Sequence, residues 1–111
     1  MELKINWNEP IFDEAAAAAI TPADTEDFYV KASEIDQLNL YFELEASFHK
    51  YVSEGKNELA AHLAFLIAFY LFIVLTPPAS CDLALHYIHE ALRLNPLPEY
   101  EEWLEHIKEG N

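Results

Sequence analysis

Acid and imidazole side chains recur four residues apart along this sequence. Glu45 pairs with His49, Glu58 with His62, His86 with Glu90 and Glu102 with His106, and His89 follows three residues after His86. Side chains at that spacing share a helix face, so each pair has the reach to grip one metal ion jointly. Di-iron carboxylate bundles use a different pattern, Glu-x-x-His on two helices with a bridging Glu on two others. Here the spacing is four, and Glu45 and Glu102 fall away from the apolar stripes. With 20 acids and 5 histidines in 111 residues, ordinary helix-stabilising contacts account for such pairs. No metal is expected. His86 and His89 read as solvated, and they are the surface positions that would hold an ion if one bound.

Nucleophilic chemistry fares no better. Cys81 falls near the start of a predicted helix, where the dipole lowers a thiol pKa. A nucleophile needs a base within hydrogen-bond reach, and His86 lies five residues on, around the helix. Cys81 therefore reads as a packed free cysteine, and Ser33, Ser47, Ser53 and Ser80 as caps or surface positions. Glycine occurs only at 55 and 110, so no Gly-rich phosphate loop exists. The residue chemistry predicts no enzyme and no cofactor.

What remains is recognition. Aromatic residues make up 14% of the chain, and Tyr41, Tyr51, Tyr70 and Trp103 are candidates for a binding groove, since aromatic side chains anchor interfaces. Core packing is the other reading of the same four. The formal net charge is −14, with −9 in residues 1–55 and −5 in residues 56–111. That balance excludes DNA, RNA and anionic lipid surfaces as partners. It suits a second class of function, in which the acidic surface, Glu99, Glu101 and Glu102 included, occupies a basic partner as immunity proteins and DNA mimics do. High charge also serves plain solubility.

The elements that would carry these groups are marked by the chain's punctuation. The length suits one domain, and 52% apolar content is far above that of a disordered acidic tail. Residues 1–32 read as a partly ordered N-terminal arm and residues 33–111 as the helical domain. In the arm, Leu3, Ile5 and Trp7 alternate with polar residues, a short helix follows Pro10, and Thr21-Pro22-x-Asp24 signals another. Ser33 with Asp36 is a capping pair that opens a helix to about Glu54, stopped by Gly55. Its stripe is Tyr41, Leu44, Phe48 and Tyr51, flanked by Leu38, Phe42 and Val52, with Glu34, Asp36, Glu43 and Glu45 on the opposite side. Lys56 to Leu75 follows, apolar all round after its first turn, so it must be covered on every side. Its uninterrupted apolar run, Leu63 to Leu75, is 13 residues long, below the ~20 of a membrane span. No membrane helix and no secretory leader are expected, which places the chain in the cytoplasm. Pro77-Pro78 ends that helix, Ser80 caps the next as far as Asn95, and a last helix runs from Pro98 to Gly110. Tyr100, Trp103, Leu104 and Ile107 form its inner face. The expected architecture is all-α, with about four main antiparallel helices.

Ala84-x3-Ile88-x2-Ala91-Leu92-x-Leu94-Asn95-Pro96 resembles the second helix of a tetratricopeptide repeat, where small residues sit at the close helix approach and proline ends the unit. Pro98 to Lys108 is similar to the amphipathic helix that covers the open end of such an array. The match covers about a third of the chain. The preceding helix carries Phe65, Ala68, Leu71 and Leu75 in place of the family's Trp and Gly positions, and a plain helical bundle produces the same small-residue pattern by packing. The resemblance implies a non-catalytic scaffold that binds a peptide or protein segment. It also implies too few repeats to close a core alone, so the apolar helix needs the N-terminal arm or a second chain over it. A homodimer is expected, with a sandwich by the first and third helices as the other reading.

Overall fold

The computed structural model describes residues 1–110, and among them the regular structure is entirely helical. The helices are α1 (Glu14–Ala19), α2 (Pro22–Lys31), α3 (Glu34–Ser53), α4 (Asn57–Phe69), α5 (Ser80–Leu94) and α6 (Pro98–Glu109). A π-helical segment, Tyr70–Leu75, continues α4. Six α-helices are thus described where about four main ones were expected, α3 to α6 falling on the stretches named for those four.

Local chemistry explains most of the boundaries. Asp13 caps α1 by accepting from the Ala16 N–H at 2.8 Å. Thr21 and Asp24 form a complete capping box on α2, with Pro22 at the first helical position. At α3 only half the box is made: Ser33 Oγ accepts from the Asp36 N–H at 3.3 Å, while Asp36 accepts from Asn39 Nδ2 at 3.2 Å. Gly55, at φ +73°, turns the chain out of α3. There the Lys56 N–H reaches Tyr51 O and the Gly55 N–H reaches Val52 O, both at 3.0 Å, which is the Schellman pattern.

Entry into α5 departs from expectation. The N-cap is Ala79, held left-handed at φ 61°, and no side chain caps the helix. Ser80 is already helical, so the capping role expected of it is not taken. The double proline fixes the approach, and the turn is closed by the Ser80 N–H donating to Pro77 O at 3.0 Å.

The core is organised around α4. Ala60, Ala61 and every residue from Leu63 to Phe72 are buried. Cover comes from within the chain: α5 and α3 pack most extensively on α4, α1 adds to them, and α2 seals the π-helical segment. From α6, Tyr100 and Trp103 meet Phe65, and Trp103 meets Phe69. A second copy is therefore not needed to cover α4, which was the reason for expecting one. The accessible surface, 6193 Å2, matches the ~6,300 Å2 of a folded monomer of this mass. Asn57–Leu75 is long and apolar enough by composition to cross a membrane, but 67% of its apolar 18-residue window is buried inside the fold.

The N-terminal arm is part of this structure. Leu3, Ala17 and Ile20 join the hydrophobic core, and His62 Nε2 lies 2.8 Å from the Ile20 carbonyl oxygen, tying α4 to the end of α1.

Candidate partner-binding site

One face of α3 holds the arm by a ladder at positions 43, 47 and 51, four residues apart. The Asn6 N–H donates to Glu43 Oε1 at 3.1 Å. The Phe12 N–H donates to Ser47 Oγ at 3.0 Å, and the Tyr51 hydroxyl donates to Phe12 O. Ser47 completes its own needs by donating to Glu43 O at 2.8 Å. Glu43 is thus not on the outward side of α3 as expected. It is 7% exposed, because the arm lies across it. The i, i+4, i+8 spacing of Glu43, Ser47 and Tyr51 beside Leu40, Leu44 and Phe48 is the signal that would have revealed a buried polar ladder.

That ladder decides where Trp7 goes. Asn6, fixed through its N–H to Glu43, turns its side chain on the following residues, and its Oδ1 accepts from the N–H groups of Asn8 and Glu9 at 3.0 and 3.1 Å. The resulting turn presents Trp7 with 78% of its surface exposed. Trp7 and Phe42, the latter 58% exposed, line one groove of about 260 Å3 together with Ile5, Asn39, Glu43 and Ala46 among others. Phe42 continues along α3 to Leu38 and Ile35, both exposed, at i, i+4 and i, i+7 spacing toward the helix start. The apolar face of α3 is therefore split. Leu40, Leu44, Phe48 and Tyr51 enter the core, while Ile35, Leu38 and Phe42 meet solvent.

Glu43 also lines the groove: Oε1 accepts from the Asn6 N–H, and Oε2, which has no protein partner among the described residues, is open to solvent. Burial pushes its carboxyl above the usual range; the Asn6 N–H opposes this, and the Asp36 charge adds to it.

The aromatic residues expected to form a groove are dispersed. Tyr51 is 2% exposed and committed to Phe12. Tyr70 is wholly buried, and its hydroxyl donates to Gln37 O at 2.6 Å. Neither presents a ring to a partner, so both readings as groove residues are corrected: each phenol was needed to satisfy a carbonyl inside the fold. Trp103 is half-buried against Phe65, Phe69 and His106. Tyr41 is half-buried and donates to Glu45 Oε2 at 2.7 Å, the same oxygen that Tyr87 reaches from α5 at 2.6 Å. Burial raises the Glu45 carboxyl, but Tyr87, Tyr41 and the nearby His49 together hold it below the usual range. Glu99, Glu101 and Glu102 are exposed on the outer face of α6.

The acid and imidazole pairs do not assemble a metal centre: among the described residues no three ligand-type side chains converge. His62 is used on Ile20, His106 meets Trp103, and Glu90 binds Arg93 at 2.6 Å. Cys81 is half-buried, its thiol 4.0 Å from Ile107 O. No family model, no curated protein and no solved structure matches this chain.

Proposed function

We propose that this protein is a non-catalytic interaction module that binds a peptide or protein segment on the outer face of α3. The observation that carries the reading is Trp7, exposed yet held in place by the Asn6 turn, beside the open stripe of Phe42, Leu38 and Ile35. A large aromatic side chain kept out of the core by a hydrogen-bonded turn is poised to anchor a partner. The hairpin of α4 and α5, with Ala60, Ala61, Ala64, Ala68, Ala84 and Ala91 buried, supports a tetratricopeptide-like scaffold behind that face. A single free thiol fits a reducing cytoplasm.

Affinity capture with the purified protein, washed at low and high salt, tests the function. Capture of a partner that survives high salt and is lost with Phe42→Ser is expected. Retention by that variant would remove the α3 face from the function.

A second reading has its own observation. Glu99, Glu101, Glu102, Glu105 and Glu109 all lie exposed on α6, so its outer side is rich in carboxylates, with Lys108 3.5 Å from Glu105. An acidic decoy for a basic protein would release its partner as salt rises and weaken when Glu99, Glu101 and Glu102 become Gln together, with Phe42→Ser harmless.

A further inference from the structure

The groove between the arm and α3 combines features that a purely apolar docking surface does not need. Its lining includes the exposed rings of Trp7 and Phe42. It also includes the Glu43 carboxylate, 7% exposed as a residue, with Oε1 held by the Asn6 N–H and Oε2 open to solvent and so within reach of an incoming donor. No Lys or Arg lines it, so the charge of this carboxylate is not neutralised within the groove. The segment that builds the whole groove, residues 1–55, carries −9. At about 260 Å3 the space falls below the ~300–1,000 Å3 of small-molecule pockets, which is the scale of a single inserted side chain.

We propose that this groove seats an arginine side chain from a basic segment of a partner protein, with the guanidinium against Trp7 and Phe42 and donating to Glu43 Oε2. Resting on the interaction-module reading, the assignment names the partner's chemistry. A guanidinium is the cation that meets both demands at once, since its flat faces stack on aromatic rings while its edge donates to a carboxylate. Apolar residues flanking the arginine would lie along Leu38 and Ile35. The surrounding negative charge steers the basic segment in, and the groove fixes its register.

Selection of a random dodecapeptide display library on the full-length protein tests this directly. Arginine next to apolar residues should be enriched, and replacing it by citrulline in a selected peptide should weaken binding about tenfold or more. Glu43→Gln keeps the acceptor for the Asn6 N–H and nearly the same shape, and it should cause a similar loss, as should Trp7→Leu at a solvent-facing position. Neutralising Glu99, Glu101 and Glu102 together should change affinity far less. Peptides that depend on Trp7 and Phe42 but carry no cation, or that bind the Glu43→Gln protein equally well, would overturn the arginine site and leave the interaction module standing. Failure to select any peptide sensitive to Trp7 or Phe42 would overturn both. Sedimentation of the unliganded protein should show a monomer, and a dimer dispersed by Phe42→Ser would assign the groove to a second copy instead.

Discussion

One oxygen of Glu45 accepts two phenolic hydroxyls, one from its own helix and one from α5, so this carboxylate is the polar link between α3 and α5. Tyr87→Phe should cost roughly 1.5–3 kcal/mol, the range for hydrogen bonds to charged groups, as read by urea denaturation. Glu43 and Glu45 make opposite predictions with pH. The Glu45 carboxyl is held low in the folded protein, so its contribution is present above the unfolded pKa and fades as pH falls through the folded one. Glu45→Gln should therefore destabilise near neutral pH and become harmless in acid. The Glu43 carboxyl is held high, so its charged form opposes folding once pH rises through the folded pKa. Glu43→Gln should raise the Tm near neutral pH, with the gain vanishing on acidification. Parallel melting series for the two variants should thus diverge in sign. The sequence made the residue types at these positions plain, but not their surroundings. Tyr51 and Tyr70 resemble interface aromatics in isolation, because the carbonyls that claim their hydroxyls, Phe12 O and Gln37 O, are 39 and 33 residues away.

Helix ends were legible wherever a short-range signal sets them. Thr21-Pro22, Ser33, Gly55, Pro96, Pro98 and Gly110 each act within a few residues, and the structure places boundaries at all of them. The position of the α5 start was legible at Ser80, but its cap was not, because it depends on the backbone geometry of Ala79 rather than on a side chain. Thr76 and Ala79 both occupy left-handed conformations, at φ 45° and 61°, without being glycine. Thr76→Gly should relieve that strain and stabilise the protein by up to about 1 kcal/mol, after the extra freedom glycine gives the unfolded chain is subtracted. Gly55→Ala should do the reverse, costing about 1 kcal/mol. No atom lies within 4 Å of the added Cβ, so that penalty would come from the backbone alone. Differential scanning calorimetry on the pair separates backbone strain from packing. The exposed half of the α3 stripe was not legible either. Periodicity shows that Phe42 and Leu38 flank the apolar face, but only the placement of the arm decides which flank is covered.

Across the whole molecule, the arm behaves as structure rather than as an appendage. Its attachment runs through Glu43, Ser47, Tyr51 and His62 on two different helices, and Leu3 adds an apolar plug. Leu3→Ala should cost about 2–3 kcal/mol if the arm unfolds with the body, and denaturation followed by Trp fluorescence and by circular dichroism should then coincide. A radius of gyration of 13.0 Å, against ~13 Å for a compact domain of this length, agrees with the arm being folded in. The π-helical segment has an effect on the same scale. Its widened turn, closed by the Thr76 N–H on Leu71 O at 3.1 Å, holds more residues than an α turn does. It therefore works as a phase adjuster, resetting the angle at which the chain leaves the buried helix for Pro77 and α5. Winding these same residues as an ordinary α-helix would add about 100° of rotation, and everything downstream would swing with it. The face of α5 that carries Tyr87 to Glu45 would then point elsewhere, so the length of this one turn is coupled to the register of the entire C-terminal half.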